Sequence, residues 1–381
     1  MDKKKIAFIF HDCCYTSGAT RSMIDIIDSL ILDKDLVIYA VFPNYEGSAI
    51  DYLRSKEIPV LLTRYDCVMC RWSELSLKYK IVNILLYFRG IFNTTCRIMP
   101  WIKKNNIDVV YSNTSVIYVG AWLKRIFPIR HIWHFREYPE LGFHQTVLGG
   151  RKKFYKFVNK YCNKVITISD WLTEIYAQNI KKTPVERVYD DVSDSYLIFK
   201  KEKHEGINIL IAGNIMRSKG QMDAVKAVEL LHESNDNIHL YIAGGASDEY
   251  GKKVLSYIDK ENRKDYIHYL GRVEDMNSIR KKMDIGIVAS RYDAFGRTII
   301  EGMLGKMVMF GASCCATREL IEDDRTGVLY RPGDYQQLAD KISGLLNNKK
   351  KMEDIREAGF QYAIRFTKGN AAKEIRKCIL E

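Results

Sequence analysis

Two acidic residues within residues 290–303 are the strongest candidates for chemistry. Asp293 follows an apolar segment typical of a buried strand, and a Phe295-Gly296 turn leads from it into a helical segment that contains Glu301. Asp293 can accept hydrogen bonds from sugar hydroxyls, while Gly296 leaves room for a pyranose ring and offers its N–H. Glu301, about one and a half turns into the helix, can reach a ribose diol. The alternative interpretation is two solvated carboxylates.

A second candidate is the loop at residues 212–221, which follows the first predicted strand of the C-terminal half. It contains a turn glycine, Gly213, the cations Arg217 and Lys219, and a second glycine, Gly220, just before a helix. Cations and free N–H groups at the start of a helix bind phosphate, so this loop could hold a pyrophosphate. A solvated basic loop would have a similar sequence.

A third loop, residues 11–21, follows the first strand of the chain and has Gly18 where the loop meets a helix. Glycine at this place lets the backbone approach a phosphate. The loop lacks the G-x-G-x-x-G pattern of dinucleotide-binding proteins, so an ordinary turn between strand and helix is the alternative.

These loops all follow predicted strands. Apolar runs alternate with helix-length segments of 3.6-residue periodicity, which predicts parallel β-α-β units and an α/β fold of two doubly wound sheets, divided near 190–206. Loops at the carboxyl ends of such strands form the ligand sites. The predicted strands are 5–10, 36–42, 60–62, 109–112, 131–134 and 164–168 in the N-terminal half, and 207–212, 239–243, 266–270, 285–289, 307–310 and 328–330 in the C-terminal half.

Length and composition fit two globular domains. The chain has 381 residues, of which 47% are hydrophobic and 28% charged, and no apolar run reaches the roughly 18–20 residues that cross a bilayer. The N-terminus leads from three lysines directly into a strand, so we expect no signal peptide and a cytoplasmic location. The nine cysteines, an odd number, are expected to be reduced thiols. We expect Asp190-Asp191 and Asp323-Asp324 to be solvated turns, and we predict no metal site.

The net charge of +12 is unevenly distributed. Residues 1–200 contain 29 Lys and Arg and 20 Asp and Glu, whereas residues 201–381 contain 30 Lys and Arg and 27 Asp and Glu. The N-terminal half should therefore attract phosphates, nucleic acid or an anionic membrane. The apolar face of residues 154, 157, 158 and 161 lies among cations, and fits either a core-facing helix or a surface for lipid headgroups. Residues 78–104 have the same ambiguity. No helix-turn-helix, RNP or zinc signature accompanies the charge, so we expect no nucleic-acid partner.

At these residues the sequence resembles the retaining glycosyltransferases of family 4, which have the GT-B fold. The family's E-x7-E motif corresponds to residues 293–301, with Asp293 in place of the first Glu. Its Gly-Arg...Lys-Gly phosphate segment corresponds to residues 213–220, with Asn214 in place of the Arg. Residues 270–273, Leu-Gly-Arg-Val, resemble the strand end that holds the nucleotide base. The resemblance covers nearly the whole chain.

The resemblance implies two Rossmann-like doubly wound domains that face each other across a cleft. The acceptor-binding domain would be residues 1–195, the nucleotide-sugar-binding domain 196–360, and a C-terminal helix in 361–381 would return to the N-terminal domain. The strand ends at 111–114 and 133–137 would line the cleft.

The resemblance also implies roles for individual residues. His134 would contact the donor sugar near the reacting carbon, although a histidine at a strand end can equally be a structural cap. Asp293 and Lys219 complete the implied catalytic set. The implied donor-binding residues are Gly18, Gly213, Asn214, Arg217, Arg272, Val273, Phe295, Gly296, Arg297, Thr298 and Glu301.

The implied activity is the retaining transfer of a hexose-type sugar from a nucleotide-diphosphate sugar to a saccharide in surface polysaccharide synthesis, with no metal or other cofactor. A lipid-linked saccharide is the preferred acceptor, and an anionic membrane surface is a further expected partner. Three alternatives remain open. They are a nucleotide-sugar epimerase on the same fold, a non-catalytic nucleotide-sugar-binding partner subunit, and a nucleic-acid-binding module.

Overall fold

The structure is a computed structural model that describes residues 3–70, 75–143, 145–147, 150–260 and 262–381. The chain divides into two compact units, residues 1–191 with 369–381, and residues 192–368. The divisions therefore follow Asp191 and Lys368, whereas the sequence resemblance placed them after residues 195 and 360.

The first unit is built on a seven-stranded parallel sheet with the strand order β3-β2-β1-β5-β6-β8-β9, beside a two-stranded antiparallel sheet of β4 and β7. The strands are β1 Lys4–Ile9, β2 Leu36–Phe42, β3 Val60–Leu62, β4 Met69–Cys70, β5 Val109–Asn113, β6 Arg130–Phe135, β7 Thr146–Val147, β8 Lys164–Thr167 and β9 Val185–Arg187.

Nine helices of the described residues belong to this unit. They are α1 Gly18–Leu30, α2 Ser48–Ser55, α3 Leu77–Asn93, α4 Met99–Lys104, α5 Val119–Ile126, α6 Pro139–Phe143, α7 Gly150–Tyr161, α8 Asp170–Ala177 and, from the end of the chain, α16 Asn370–Leu380. A π-helical turn, Thr94–Ile98, joins α3 to α4. The apolar side of α16 enters the core of the unit through Ala371, Ala372, Ile375 and Ile379.

The second unit is built on a six-stranded parallel sheet with the order β12-β11-β10-β13-β14-β15. Its strands are β10 Ile207–Ala212, β11 Ile238–Ala243, β12 Ile267–Gly271, β13 Ile285–Val288, β14 Val308–Ala312 and β15 Val328–Tyr330. Its helices are α9 Gln221–Ser234, α10 Glu249–Ile258, α11 Met276–Arg280, α12 Arg297–Leu304, α13 Thr317–Leu320, α14 Tyr335–Leu346 and α15 Lys349–Ile364. It has its own apolar core.

The predicted fold class, two Rossmann-like α/β halves, is confirmed, since the large sheet of each unit is parallel and doubly wound. All twelve predicted strands are present, with ends that differ by two residues at most. Within the described ranges, no helix combines the length and the apolar character needed to span a bilayer.

The apolar face predicted around residue 154 faces the core. Phe154 and Val158 of α7 are buried, and the Phe157 ring stacks on Tyr118 with 5.0 Å between ring centroids. The cations of α7 lie on the solvent side of the helix. Of the two interpretations of this face, the core-facing helix is the one observed.

Candidate functional site

The candidate site lies where the strand order of the second sheet reverses. Strand β10 pairs with β11 on one side and β13 on the other, so the loops after β10 and β13 leave adjacent carboxyl ends. The backbone N–H of Arg291 donates to the carbonyl of Ser218 at 2.8 Å, which joins the two loops directly. Gly220 has φ +68°, and a Cβ there would overlap the carbonyl oxygen of Ala289. The two loops therefore pack so closely that only glycine fits at position 220.

This packing brings Lys219 and Asp293 into contact. The Lys219 Nζ donates to Asp293 Oδ2 at 3.0 Å. Burial alone would raise the pKa of Asp293, but the charge and hydrogen bond of Lys219, together with the Phe295 N–H, lower that pKa below its usual value. The carboxylate form of Asp293 therefore lies beside Lys219, whose side chain is 38% exposed.

The turn after Asp293 opens helix α12. Gly296 precedes the helix in the left-handed conformation, with φ +93°, and Arg297 and Thr298 are the first helical residues. Phe295 is buried beside Phe366, with 6.1 Å between ring centroids. The turn thus fixes the start of α12, whose N–H groups can bind an anion.

Glu301, predicted from its spacing, is held between two arginines. Arg297 Nε donates to Oε1 at 2.9 Å, and Arg280 Nη2 donates to Oε2. The Arg280 guanidinium also lies 5.0 Å from the ring centroid of Tyr196. Arg280 and Tyr196 could not be predicted from the sequence, because neither lies in a motif or directly follows a strand of the sheet. The carboxylate of Glu301 is thereby fixed in position.

Five further predicted residues lie at the same edge of the sheet. Asn214 Oδ1 accepts the N–H of Gly245 at 3.2 Å, so Asn214 joins the loops after β10 and β11. Arg272 follows β12, and its Nε lies 3.0 Å from the position that a Cβ on Gly245 would take. Arg217 is exposed on the short 3-10 helix that also carries Lys219. Gly213 and Val273 follow β10 and β12 respectively.

The loop after β14, which no sequence motif predicted to be part of the site, lies beside Asp293. The N–H of Ala316, after β14, donates to the Asp293 carbonyl at 3.3 Å, and Cys314 Sγ donates to the Ser290 carbonyl at 3.1 Å. All nine cysteines are free. The adjacent pair Cys314-Cys315 could have suggested a reactive site, but its position next to Asp293 depends on the strand order.

In the first unit, His134 at the end of β6 is fully buried. Its Nδ1 lies 2.8 Å from Tyr111 Oη and 3.3 Å from Arg136 Nη2. Burial and then the charge of Arg136 hold the pKa of His134 well below its usual value, so the imidazole is neutral. The predicted contact with a donor sugar stays a prediction.

The charge of Arg136 is balanced by Asp190, which we expected from the sequence to lie in a solvated turn. Arg136 Nη1 donates to Asp190 Oδ2 at 2.6 Å, and both side chains are buried. Asp191 is buried too and accepts the N–H of Ala372 at 3.2 Å, at the start of α16. The expectation of a solvated Asp190-Asp191 turn is therefore wrong, because an internal cation and a helix end supply its partners. Asp323 and Asp324 are exposed, as predicted.

Gly18 is the first residue of α1. A Cβ on Gly18 would meet no atom within 4 Å, so packing inside the unit does not require glycine there. Nearby, Asp12 Oδ1 accepts from Thr20 Oγ1 at 2.7 Å and from the Cys14 N–H at 3.0 Å. The proposed approach of a phosphate to Gly18 also stays a prediction.

Comparison with known proteins shows that most of the second unit matches a family model. Residues 195–362 match the family model described as "Glycosyl transferases group 1". This segment is therefore similar in sequence to the group 1 glycosyltransferases. It contains the Lys219–Asp293 pair and the arginines around Glu301.

Individual relatives extend the similarity over more of the chain. The chain is 24% identical over 283 residues to the uncharacterized glycosyltransferase MJ1178 of Methanocaldococcus jannaschii, covering 72% of this chain and 76% of that protein. It is 19% identical over 161 residues, 42% of each protein, to the capsular polysaccharide biosynthesis glycosyltransferase CapM of Staphylococcus aureus. Its fold is similar to that of HepE of Anabaena in complex with UDP and glucose, with a TM-score of 0.78, 17% identity and coverage of 99% of this chain and 100% of that one. The similarity thus includes a transferase named for capsular polysaccharide biosynthesis.

Proposed function

We propose that this protein is a retaining, family 4 glycosyltransferase that moves a hexose-type sugar from a nucleotide-diphosphate sugar to a lipid-linked saccharide in surface polysaccharide synthesis. The observation that carries the proposal is the Lys219–Asp293 pair at the reversal point of the second sheet. A cation and a carboxylate side by side can bind the diphosphate and the sugar of an activated sugar, since the cation binds phosphate and the carboxylate accepts hydrogen bonds from hydroxyls.

The remaining residues of this edge complete a donor site. In the proposal, the nucleotide base lies at Arg272 and Val273, and the ribose hydroxyls donate to Glu301. Both oxygens of Glu301 already accept from arginines, but each has further lone-pair capacity. The pyrophosphate would lie against Lys219 and Arg217 and the first N–H groups of α12, at Arg297 and Thr298.

Stabilisation of the departing diphosphate is the main catalytic task of these groups. As the bond between the anomeric carbon and the phosphate oxygen breaks, negative charge develops on the phosphate and positive charge on the sugar. The acceptor hydroxyl attacks from the same face, its oxygen bonds to the anomeric carbon, and its proton passes to the departing phosphate. Lys219 would stabilise that phosphate, and Asp293 would orient the sugar.

The proposed transfer reaction needs no metal ion, because Lys219, Arg217 and the start of α12 supply the positive charge. We expect 5 mM EDTA to change the initial transfer rate by less than about twofold. Recovery of a lost rate by added Mg²⁺ or Mn²⁺ would contradict this part of the proposal.

Two relatives support the proposed substrates. The HepE structure contains UDP and glucose, which makes UDP-sugars the first donors to test. CapM, named for capsular polysaccharide biosynthesis, supports a polysaccharide acceptor. The retained anomeric configuration rests on the resemblance of residues 213–220 and 293–301 to family 4, and the lipid-linked form of the acceptor is a preference that the product analysis tests.

The proposal is tested by product analysis with the purified full chain. UDP-, GDP- and ADP-hexoses are incubated with a lipid-linked saccharide fraction and with water-soluble saccharides, and products are identified by mass spectrometry and by the anomeric proton in NMR. We expect a new glycosidic bond of the donor's own configuration, lost in Lys219→Ala and kept in Lys252→Ala, an exposed lysine of α10. Release of an epimerised nucleotide-sugar would favour the epimerase, and donor binding without any product would favour the non-catalytic subunit.

A further inference from the structure

Helix α3 carries an unusual exposed apolar stripe. Five of its large apolar side chains are between 51% and 75% exposed: Leu77, Ile81, Leu85, Phe88 and Phe92. At 3.6 residues per turn these positions fall within an arc of about 80° and extend over about 22 Å of the helix. The stripe is therefore continuous rather than scattered, which is uncommon on a free protein surface.

The opposite side of α3 is attached to the first unit. Tyr87 contacts Trp122 of α5 edge-on, with 5.3 Å between ring centroids, and Asn93 Nδ2 donates to the Arg64 carbonyl at 2.7 Å. Gly90 lies against Trp122, where any Cβ would come within 2.9 Å of the indole ring. The helix is thus held by one side and presents the apolar stripe on the other.

The charge around the stripe has a single sign. Residues 75–107 contain six Lys and Arg and no Asp or Glu. By helical position, Lys78 and Arg89 lie along one edge of the stripe and Lys80 along the other. Arg89 pairs with Asp66 at 2.6 Å, while Lys78 is exposed.

We infer that this stripe docks on the surface of an anionic phospholipid membrane. An apolar face bordered by cations matches a lipid surface, where Leu and Phe enter the acyl boundary and Lys meets headgroup phosphates. A second copy of this chain fits poorly, because face-to-face contact of two stripes would bring like charges together on a chain of net charge +12. This inference does not depend on the donor site, which belongs to the other unit.

The inference is tested by co-sedimentation of the full chain with vesicles of phosphatidylcholine containing 30% phosphatidylglycerol, and with pure phosphatidylcholine vesicles. We expect at least tenfold stronger partitioning to the anionic vesicles, which falls with salt. Leu85→Ser/Phe92→Ser should weaken that partitioning at least tenfold, and Lys78→Gln/Lys80→Gln should weaken it roughly fivefold for each lysine.

The matched control is Leu32→Ser/Phe199→Ser, which makes the same chemical changes at two other exposed side chains. It should partition as the wild type does. Equal partitioning of wild type and Leu85→Ser/Phe92→Ser would overturn the inference, as would failure of the wild type to bind anionic vesicles. Light scattering that shows a dimer in the wild type and a monomer in Leu85→Ser/Phe92→Ser would assign the stripe to a second copy instead.

Discussion

At the scale of single residues, we propose that the Lys219–Asp293 pair serves ligand binding more than stability. Lys219 is 38% exposed, so solvent screens its attraction to the largely buried carboxylate of Asp293 and limits the contribution of the pair to folding. The loop that carries Asp293 packs closely against the loop that carries Lys219, at a point where Gly220 has no Cβ.

We expect Lys219→Ala and Asp293→Asn each to lower kcat/KM for sugar transfer at least ~100-fold, because each removes a group that stabilises the transition state. The Tm of each variant should change by no more than about 3 °C. Since the two side chains touch, the double variant should lose less than the product of the single effects. A kcat/KM within threefold of wild type in either single variant would contradict the assigned roles.

Gly220→Ala tests the close packing of the two loops. We expect the Tm to fall by at least ~4 °C, because alanine would have to adopt the positive φ of this position and its Cβ would overlap the Ala289 carbonyl. The control is Gly344→Ala in α14, where a Cβ meets no atom within 4 Å and the Tm should rise slightly. A similar Tm for both variants, measured by calorimetry, would show that the loops are free to separate.

The sequence predicted some of these residues and not others for a physical reason. Asp293 and Lys219 follow strands, so their place at one sheet edge can be deduced from the alternation of elements. Arg280 reaches Glu301 from a short helix, and Asp190 reaches Arg136 across the first unit, and both contacts depend on tertiary packing. Asn214 was recognised as a departure from the family motif, but its bond to Gly245 could not be deduced from the sequence.

At the scale of elements, helix α16 shows how the end of the chain stabilises the first unit. Arg376 pairs with Asp33 and with Asp35, the latter at 2.5 Å, while Asp191 accepts N–H groups at the start of the helix. Burial raises the pKa of Asp191 to about 6, in spite of those N–H groups. The charged carboxylate is therefore partly destabilising at neutral pH.

The pH dependence follows from the direction of this shift. An acid whose pKa is higher in the folded than in the unfolded state favours folding when protonated, and this contribution is lost as the pH rises through about 6. Asp191→Asn keeps one oxygen acceptor and cannot ionise. We expect its Tm to exceed that of wild type by about 2–4 °C at pH 7.5, with little difference at pH 4.5. A Tm advantage that is larger at pH 4.5 would contradict the assigned burial.

The elements that the sequence predicted well are those with a long and regular apolar pattern. The short strands β4, β7 and β9 were missed, because two or three residues carry no recognisable period. The apolar faces of α3 and α7 look alike in sequence, yet one is exposed and the other buried. Periodicity identifies a face, whereas the neighbours that cover it come from the tertiary fold.

At the scale of the whole molecule, the two units differ in how the chain builds them. The second unit is one continuous segment, 192–368, with its own core, whereas the first needs residues 369–381 from the end of the chain. The charge differs as well, with most of the excess in the N-terminal half. In our proposals, the donor site belongs to the second unit and the exposed apolar stripe of α3 belongs to the first.

Fragment 192–368 is expected to fold alone and to unfold cooperatively with a Tm within about 10 °C of the full chain. Fragment 1–191 should unfold at a clearly lower temperature or aggregate, because it lacks the apolar side of α16. Circular dichroism melts of both fragments measure this difference. A fragment 1–191 as stable as the first unit of the full chain would contradict the role of α16.

The central claim is that a nucleotide-diphosphate sugar binds at the edge formed by the loops after β10 and β13. Hydrogen exchange of the full chain, followed by mass spectrometry with and without saturating UDP, GDP or ADP and their hexose conjugates, tests this claim most directly. We predict that at least one of these ligands slows exchange in residues 213–221 and 290–301, and that Lys219→Ala abolishes the protection at the same concentration. Protection confined to other segments, or none from any ligand of the panel, would contradict the claim.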